Sequence, residues 1–259
     1  MGPSPVFVAG IAAVILVAGA VNGLAGFGFA LVGTMALASV VDPATAVVFM
    51  ILPVMAVNLS LARDLSADQL RTCGRRFGPL VAAALVGAVA GMAVLQRLPQ
   101  APLKLGLGLV TLAFVATAQR AVTIPGLAAT RDRCFVETGP AMTGVGAVSG
   151  LLFGGTNVGV QVVAYVRSCD LSHGLFVGVV AMVFLGLNGV RVAAAGALGL
   201  YPGLDVVAAS AIAAVPAVAG VAVGKRLRFR ASESRRRAVV LGLQTAIGVR
   251  LLLAGAGAA

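Results

Sequence analysis

The sequence predicts an all-α, polytopic membrane protein, and its bulk composition supports this class. Hydrophobic residues make up 60% of the 259-residue chain, charged residues make up only 10%, and the mean hydropathy is +1.06. These values lie outside the range of soluble globular proteins. The length allows about six to ten helical segments with short connections, so we expect one multi-pass domain in the cell (plasma) membrane. The lipid bilayer is then an obligatory partner, and the pattern leaves homo-oligomerisation open.

Charged residues and Pro/Gly punctuation divide the chain into ten apolar segments. Five of them precede a hydrophilic linker at 120–139, which we expect to be cytoplasmic, and five follow it. The predicted segments lie near 6–21, 29–41, 44–62, 77–96, 102–119, 140–153, 157–167, 174–199, 205–224 and 238–255.

Three features of the first five segments recur in the same order in the second five, which indicates an internal repeat. We place repeat 1 at about 6–119 and repeat 2 at about 140–255. The matching features are "GLAGFG" (23–28) with "GLLFGG" (150–155), Asn58 with Asn188, and Pro79 plus Gly87-x-x-x-Gly91 with Pro216 plus Gly220-x-x-x-Gly224.

The basic residues predict the topology and explain the net charge of +11 without a nucleic-acid partner. Fifteen of the 19 Lys and Arg residues cluster in or beside the loops at 63–76, 120–133, 167 and 225–237, which the positive-inside rule assigns to the cytoplasm. The loops before and after 140–167 can lie on the same side of the membrane only if this stretch crosses the membrane an even number of times. It therefore forms a hairpin, either re-entrant or made of two short crossings. Each repeat then contains a glycine-broken hairpin plus three transmembrane helices, the repeats are inverted, and both chain ends are extracytoplasmic.

The glycine-rich breaks predict a binding site for a small anion. A broken helix at membrane depth leaves backbone groups unpaired unless they are buried in protein or line a wet cavity, so the breaks should face inward. In inverted-repeat transporters such breaks host the substrate near the midplane, where half-helix N-termini favour anions. The alternative is that the glycines serve helix packing only. The predicted substrate-binding residues are Asn22, Gly26, Phe27, Gly28, Asn58, Gly154, Gly155, Thr156, Asn157, Gln161, Asn188 and Arg191.

Arg191 is the most interior charge of the sequence and the predicted partner of the anion. Asn188 lies three residues earlier, on the same helical face, so both side chains should point into the bundle. The alternative for Arg191 is that its side chain snorkels to the lipid headgroups.

Missing patterns restrict the mechanism. No G-x-x-x-x-G-K-[ST] motif is present, so ATP is not the predicted energy source. Asp42 and Asp205 lie at segment boundaries, and no carboxylate lies deep in an apolar segment. The three cysteines form no C-x-x-C pair, so we predict neither a metal, a cofactor nor an enzyme such as a thiol oxidoreductase. Export of an anion from an inside-negative cell is favourable without a coupling ion.

The glycine-rich break after the first segment, its second copy "GLLFGGTN", the proline-plus-GxxxG segments and the basic loops resemble the sulfite exporter TauE/SafE family over about residues 8–253. The resemblance implies export of small sulfur oxyanions or organosulfonates, such as sulfite or sulfoacetate. This chain departs from the family pattern in reading "GFGF" at the first break, where a more glycine-rich run is usual. It also has Asn157 where a proline often stands.

Two functions remain open at this stage. The first is a permease that exports a small anion, with sulfite or an organosulfonate as its cargo. The second is a non-transporting membrane scaffold or assembly subunit, which would use the same bundle to bind a partner protein.

Overall fold

The apolar runs fold as helices, because within hydrocarbon every backbone polar group needs a partner inside its own segment. The computed structural model describes residues 4–25, 28–63, 66–118, 138–159, 162–163, 165–166, 173–228 and 233–257. In these residues the helices are α1 (Pro5–Ala25), α2 (Phe29–Ala38), α3 (Pro43–Phe49), α4 (Ile51–Ala62), α5 (Ala67–Arg76), α6 (Gly78–Arg97), α7 (Gln100–Ala118), α8 (Gly139–Thr156), α9 (His173–Ala197), α10 (Leu204–Arg228) and α11 (Glu233–Gly255).

Within the described part of the chain, five helical stretches are long and apolar enough to cross a membrane, and the predicted polytopic all-α class is confirmed. The five are Pro5–Leu24, Pro43–Ala62, Gly78–Arg97, Gly178–Ala197 and Leu204–Leu227. Most of the predicted 120–139 linker lies outside the described residues, and so does part of the predicted 157–167 segment.

The predicted segment 44–62 is confirmed as the candidate membrane span Pro43–Ala62, in which Met50 alone separates α3 from α4. α3 ends at Phe49 and α4 begins at Ile51. Pro53 has no N–H to donate to the carbonyl of Phe49, four residues earlier. The Ser210 hydroxyl of α10 donates to that carbonyl instead, at 2.5 Å.

The basic stretch 63–76, which we predicted to be a loop, contains the helix α5. Its three exposed arginines, Arg71, Arg75 and Arg76, made the stretch look like a plain cytoplasmic connection. Asp68 in the first turn and the arginines in the last turn complement the helix dipole, which favours helix formation.

The chain divides into two compact units, and each unit takes helices from both predicted repeats. Unit 1 comprises Met1–Val57, Leu98–Ala118 and Leu200–Ala259, and unit 2 comprises Asn58–Arg97 and Gln119–Gly199. Unit 1 therefore contains α1 to α3 and α7 from the first repeat with α10 and α11 from the second. Unit 2 contains α5 and α6 from the first repeat with α8 and α9 from the second.

In unit 1, α1 and α10 pack in parallel through glycines. Gly19 lies against the backbone of Ala217 and Gly220, and one turn later Gly23 lies against Val221 and Gly224. A Cβ at Gly19 or Gly23 would overlap a carbonyl oxygen of α10, so the two backbones are as close as glycine permits.

The other close pair in unit 1, α7 and α11, runs antiparallel. Leu105 lies beside Gly255, and further along α7 the side chains of Thr111 and Leu112 lie beside Gly248.

Unit 2 repeats the parallel glycine packing with α6 and α8. Gly146, Gly150 and Gly154 of α8 lie in turn against the backbone of Leu80, Ala84 and Ala88 of α6. This contact anchors the last turn of α8, where the second predicted break begins.

Candidate functional site

The second predicted break is present, and local hydrogen bonds explain why α8 stops there. The Thr156 hydroxyl donates to the Leu152 carbonyl at 2.5 Å and accepts from the Val158 N–H at 3.2 Å. Asn157 adopts the left-handed conformation, with φ 60° and ψ 13°, and its N–H donates to the Phe153 carbonyl. Asparagine tolerates this conformation better than most residues, so it ends the helix at low cost.

Arg191 of α9 reaches this break and is fully buried in unit 2, with 0% of its surface exposed. Its Nη1 donates to the side-chain oxygens of Asn157 and, at 3.1 Å, of Asn188. Its Nη2 donates to the Gly154 carbonyl at 3.3 Å. This burial rules out the snorkelling arrangement considered for Arg191.

Two aromatic rings complete the surroundings of the guanidinium. The Arg191 Cζ lies over the Phe153 ring, 4.9 Å from its centroid, a distance at which a cation is attracted to the ring face. Phe184 stacks on Phe153 with centroids 4.9 Å apart and an angle of 24° between the ring planes. The cation is therefore held against an aromatic pair that excludes water.

The arrangement orients a buried positive charge. Asn157, Asn188 and Gly154 contribute the oxygens that fix the orientation of the guanidinium. The Gly154 carbonyl belongs to the last turn of α8, where the negative end of the helix dipole favours a cation. A guanidinium held in a low-dielectric setting can bind an oxyanion through its planar fork of N–H donors.

Four of the predicted site residues, Gly154, Asn157, Asn188 and Arg191, thus contact one another in unit 2. The Asn188 Nδ2 donates to the Phe184 carbonyl of its own helix at 2.7 Å, which directs its oxygen to Arg191. Gly155 lies beside this cluster and packs against α6, since a Cβ there would lie 3.2 Å from the Gly91 carbonyl oxygen.

The first predicted break lies in unit 1, where Gly28 has φ 104° at the start of α2. The Asn22 side-chain oxygen accepts the Phe29 N–H at 3.2 Å, so Asn22 caps α2 across the break. We had expected open N–H groups here, but the cap already satisfies the first of them. Asn58 is buried in unit 2. Gly26, Phe27 and Gln161 lie outside the described residues.

Sequence reasoning did not consider Phe184, and it favoured a packing role for Phe153 over a role in gating the site. Phe184 is spaced four and seven residues before Asn188 and Arg191, so all three share a helical face. That spacing could have identified Phe184, whereas the contact of Arg191 with Phe153 joins two helices and has no local signal. Among the described residues, no group of three or more His, Cys, Asp or Glu side chains could hold a metal ion.

Comparison with known proteins identifies a family whose model covers most of the chain. The family model described as Sulfite exporter TauE/SafE matches residues 11–251. No curated protein and no solved structure matches the chain.

Proposed function

Since the chain belongs to the sulfite exporter TauE/SafE family, we propose that it exports sulfite or an organosulfonate from the cytoplasm across the cell membrane. The protein is a membrane transporter of the sulfite exporter type, and its substrate is accordingly a small anion. The identity of that anion, the direction of transport and the residues that bind it are the proposed part.

The buried guanidinium of Arg191 is the observation that carries the proposal. The amide oxygens of Asn157 and Asn188 and the Gly154 carbonyl hold this cation in a fixed orientation. Away from bulk water, the attraction between a cation and an anion is stronger than in solution. A sulfur oxyanion carries the opposite charge and matches the fork geometry of the guanidinium.

The second break supports this site because it places Asn157 beside the cation. The left-handed Asn157 turns its amide oxygen onto Arg191, while Gly154 and Gly155 let α8 pack closely on α6. We propose that Thr156 and Gln161 border the same anion. The first break is a second proposed anion-binding element, formed by Asn22, Gly26, Phe27 and Gly28. Asn58 of α4 is also a proposed anion-binding residue. Variants at those positions test both proposals.

The direction of transport follows from the charge of the substrate. An anion that leaves an inside-negative cell gains about 2.3 kcal/mol per charge for each 100 mV. Export could thus proceed as uniport, driven by the membrane potential alone.

We also propose that the two repeats have inverted topology. If the basic stretches before α6 and after α10 are both cytoplasmic, α6 runs outward and α10 runs inward. The parallel contacts then make α8 run outward and α1 run inward, so the first helices of the two repeats run in opposite directions. α7 and α11, the last helices of the repeats, pack antiparallel, as equivalent helices of inverted repeats should.

Flux from liposomes tests the proposal. Purified full-length protein is reconstituted into vesicles loaded with sulfite, and a potassium diffusion potential is set with valinomycin. We expect sulfite efflux well above that of protein-free vesicles, and efflux should accelerate when the interior is made negative. Efflux equal to that of protein-free vesicles for both sulfite and a sulfonate would contradict the proposal and favour a non-transporting scaffold.

A further inference from the structure

Ser149 of α8 is buried without a hydrogen bond. Its side chain is 1% exposed, and its Oγ has no hydrogen-bond partner among the described residues. Leaving a buried hydroxyl unsatisfied is unfavourable, by about 1 to 3 kcal/mol. Such a group requires an explanation, and a role in binding an ion or ligand is one of the accepted explanations.

Threonine hydroxyls on the helices bond to their own helix, unlike the hydroxyl of Ser149. Thr143 and Thr156, on the same helix, donate to the carbonyls of Gly139 and Leu152, four residues earlier. In unit 1, Thr111 and Thr245 form the same type of bond. Ser149 could make this bond with Val145 but does not, so its donor is available to another group.

The position of Ser149 on α8 connects it with the Arg191 cluster, which comprises Gly154, Asn157, Asn188 and Arg191. Ser149 lies one turn before Phe153 on the same buried face of α8, which corresponds to about 6 Å along the helix axis. Phe153 is the residue whose ring carries the Arg191 guanidinium.

We propose that the Ser149 hydroxyl donates to an oxygen of the anion held by Arg191, and thereby selects sulfur oxyanions with three oxygens. This inference rests on the proposed function, because it assumes an anion beside Arg191. The guanidinium fork engages two oxygens of the anion, and the hydroxyl engages the third. A carboxylate has only two oxygens, both taken by the fork, so it gains nothing from Ser149.

The test compares Ser149→Ala with the wild-type protein in detergent, using sulfite and acetate as probes. Without ligand, Ser149→Ala should unfold at the same or a higher temperature, because it removes an unsatisfied buried hydroxyl. Its affinity for sulfite, from ligand-induced thermal shifts and from liposome flux, should fall about tenfold. Its weaker affinity for acetate should not change.

Ser210→Ala is the matched control, since Ser210 is also a fully buried serine but its hydroxyl donates to the Phe49 carbonyl. This variant should lower the unfolding temperature and leave the affinity for sulfite as in the wild type. The two serine variants therefore give opposite patterns if Ser149 binds the substrate and Ser210 supports the fold.

Arg191→Gln separates this inference from the proposed function. If Arg191→Gln loses affinity for sulfite while Ser149→Ala retains it, the role of Ser149 is refuted and the site at Arg191 stands. If both variants bind sulfite as the wild type does, both claims fail. Ser149→Cys, which keeps the size but weakens the donor, should lose affinity like Ser149→Ala. Failure of both Ser149 variants to fold would assign the hydroxyl to stability and overturn the inference.

Discussion

At the scale of single residues, Asn157 combines two tasks. It holds a left-handed backbone conformation at the end of α8, and its side-chain oxygen accepts a hydrogen bond from Arg191. Glycine would satisfy the first requirement but not the second, and alanine would satisfy neither.

Asn157 substitutions should separate these two tasks. Asn157→Gly should lose about 1.5 to 3 kcal/mol of unfolding free energy, the contribution of a hydrogen bond to a charged group. Asn157→Ala should lose about 1 to 2 kcal/mol more, because alanine is strained in the left-handed region. Unfolding in detergent measures both values. Equal stability of the two variants would show that the backbone conformation at 157 imposes no strain.

The core of the site was predictable at this scale, but its full composition was not. Asn188 and Arg191 were found because they are three residues apart on one helix, and the contact between them agrees with that spacing. Asn157 was included through the glycine-rich motif. The ring of Phe153 under the guanidinium and the open hydroxyl of Ser149 depend on how α8 packs in unit 2, which the local pattern does not contain.

At the scale of elements, glycine has two different roles that the sequence alone does not distinguish. At Gly28 a Cβ would meet nothing within 4 Å, so the glycine is needed for its φ of 104°. At Gly150 a Cβ would overlap the Ala84 carbonyl oxygen, so the glycine is needed for close packing of α8 on α6. The packing alternative considered for the glycines is therefore correct for the helix interfaces, while the breaks use glycine and asparagine for conformation.

Gly150→Ala and Gly144→Ala form a matched pair on α8. Gly150→Ala should destabilise the protein by about 1 to 3 kcal/mol or more, because the added methyl group overpacks a backbone contact that no side-chain movement relieves. A Cβ at Gly144 meets nothing within 4 Å, so Gly144→Ala should stabilise the helix by about 0.5 to 1 kcal/mol. Thermal unfolding of both variants provides the measurement, and a neutral Gly150→Ala would refute the close α6 and α8 contact.

Charge explains why α5 was not predicted. The charged composition of 63–76 favours a loop, yet the acidic residue in the first turn of α5 and the basic residues in its last turn favour a helix. Within the predicted segment 44–62, Pro53 removes one backbone donor, and the Ser210 hydroxyl of α10 donates to the carbonyl that lacks it.

At the scale of the whole molecule, composition and charge were sufficient for the class of protein but not for the grouping of its helices. The high hydropathy and the apolar runs predicted a polytopic helical protein, which the structure confirms in the residues that it describes. The pairing of helices from different predicted repeats, with α1 beside α10 and α6 beside α8, was not predicted. This pairing depends on which helices have small-residue faces that fit each other, and these helices are far apart in the sequence.

Cysteine labelling tests the proposed inverted topology. Single cysteines are introduced at Ser234 and Gln100, which are both exposed, in a chain whose Cys73, Cys134 and Cys169 are replaced. With an impermeant reagent outside intact cells, Gln100→Cys should react and Ser234→Cys should react only after the membrane is permeabilised. Reaction of Ser234→Cys in intact cells would contradict the inverted arrangement.

The concentration dependence of sulfite flux in liposomes, compared for wild type, Arg191→Lys and Arg191→Gln, tests the central claim most directly. Losing a charge-assisted hydrogen bond costs about 1.5 to 3 kcal/mol, so Arg191→Gln should raise the half-saturating concentration roughly tenfold to a hundredfold. Arg191→Lys keeps the charge but loses the planar fork, and it should retain part of the affinity. Superimposable curves for well-folded wild type and Arg191→Gln would remove Arg191 from the anion site and contradict the account.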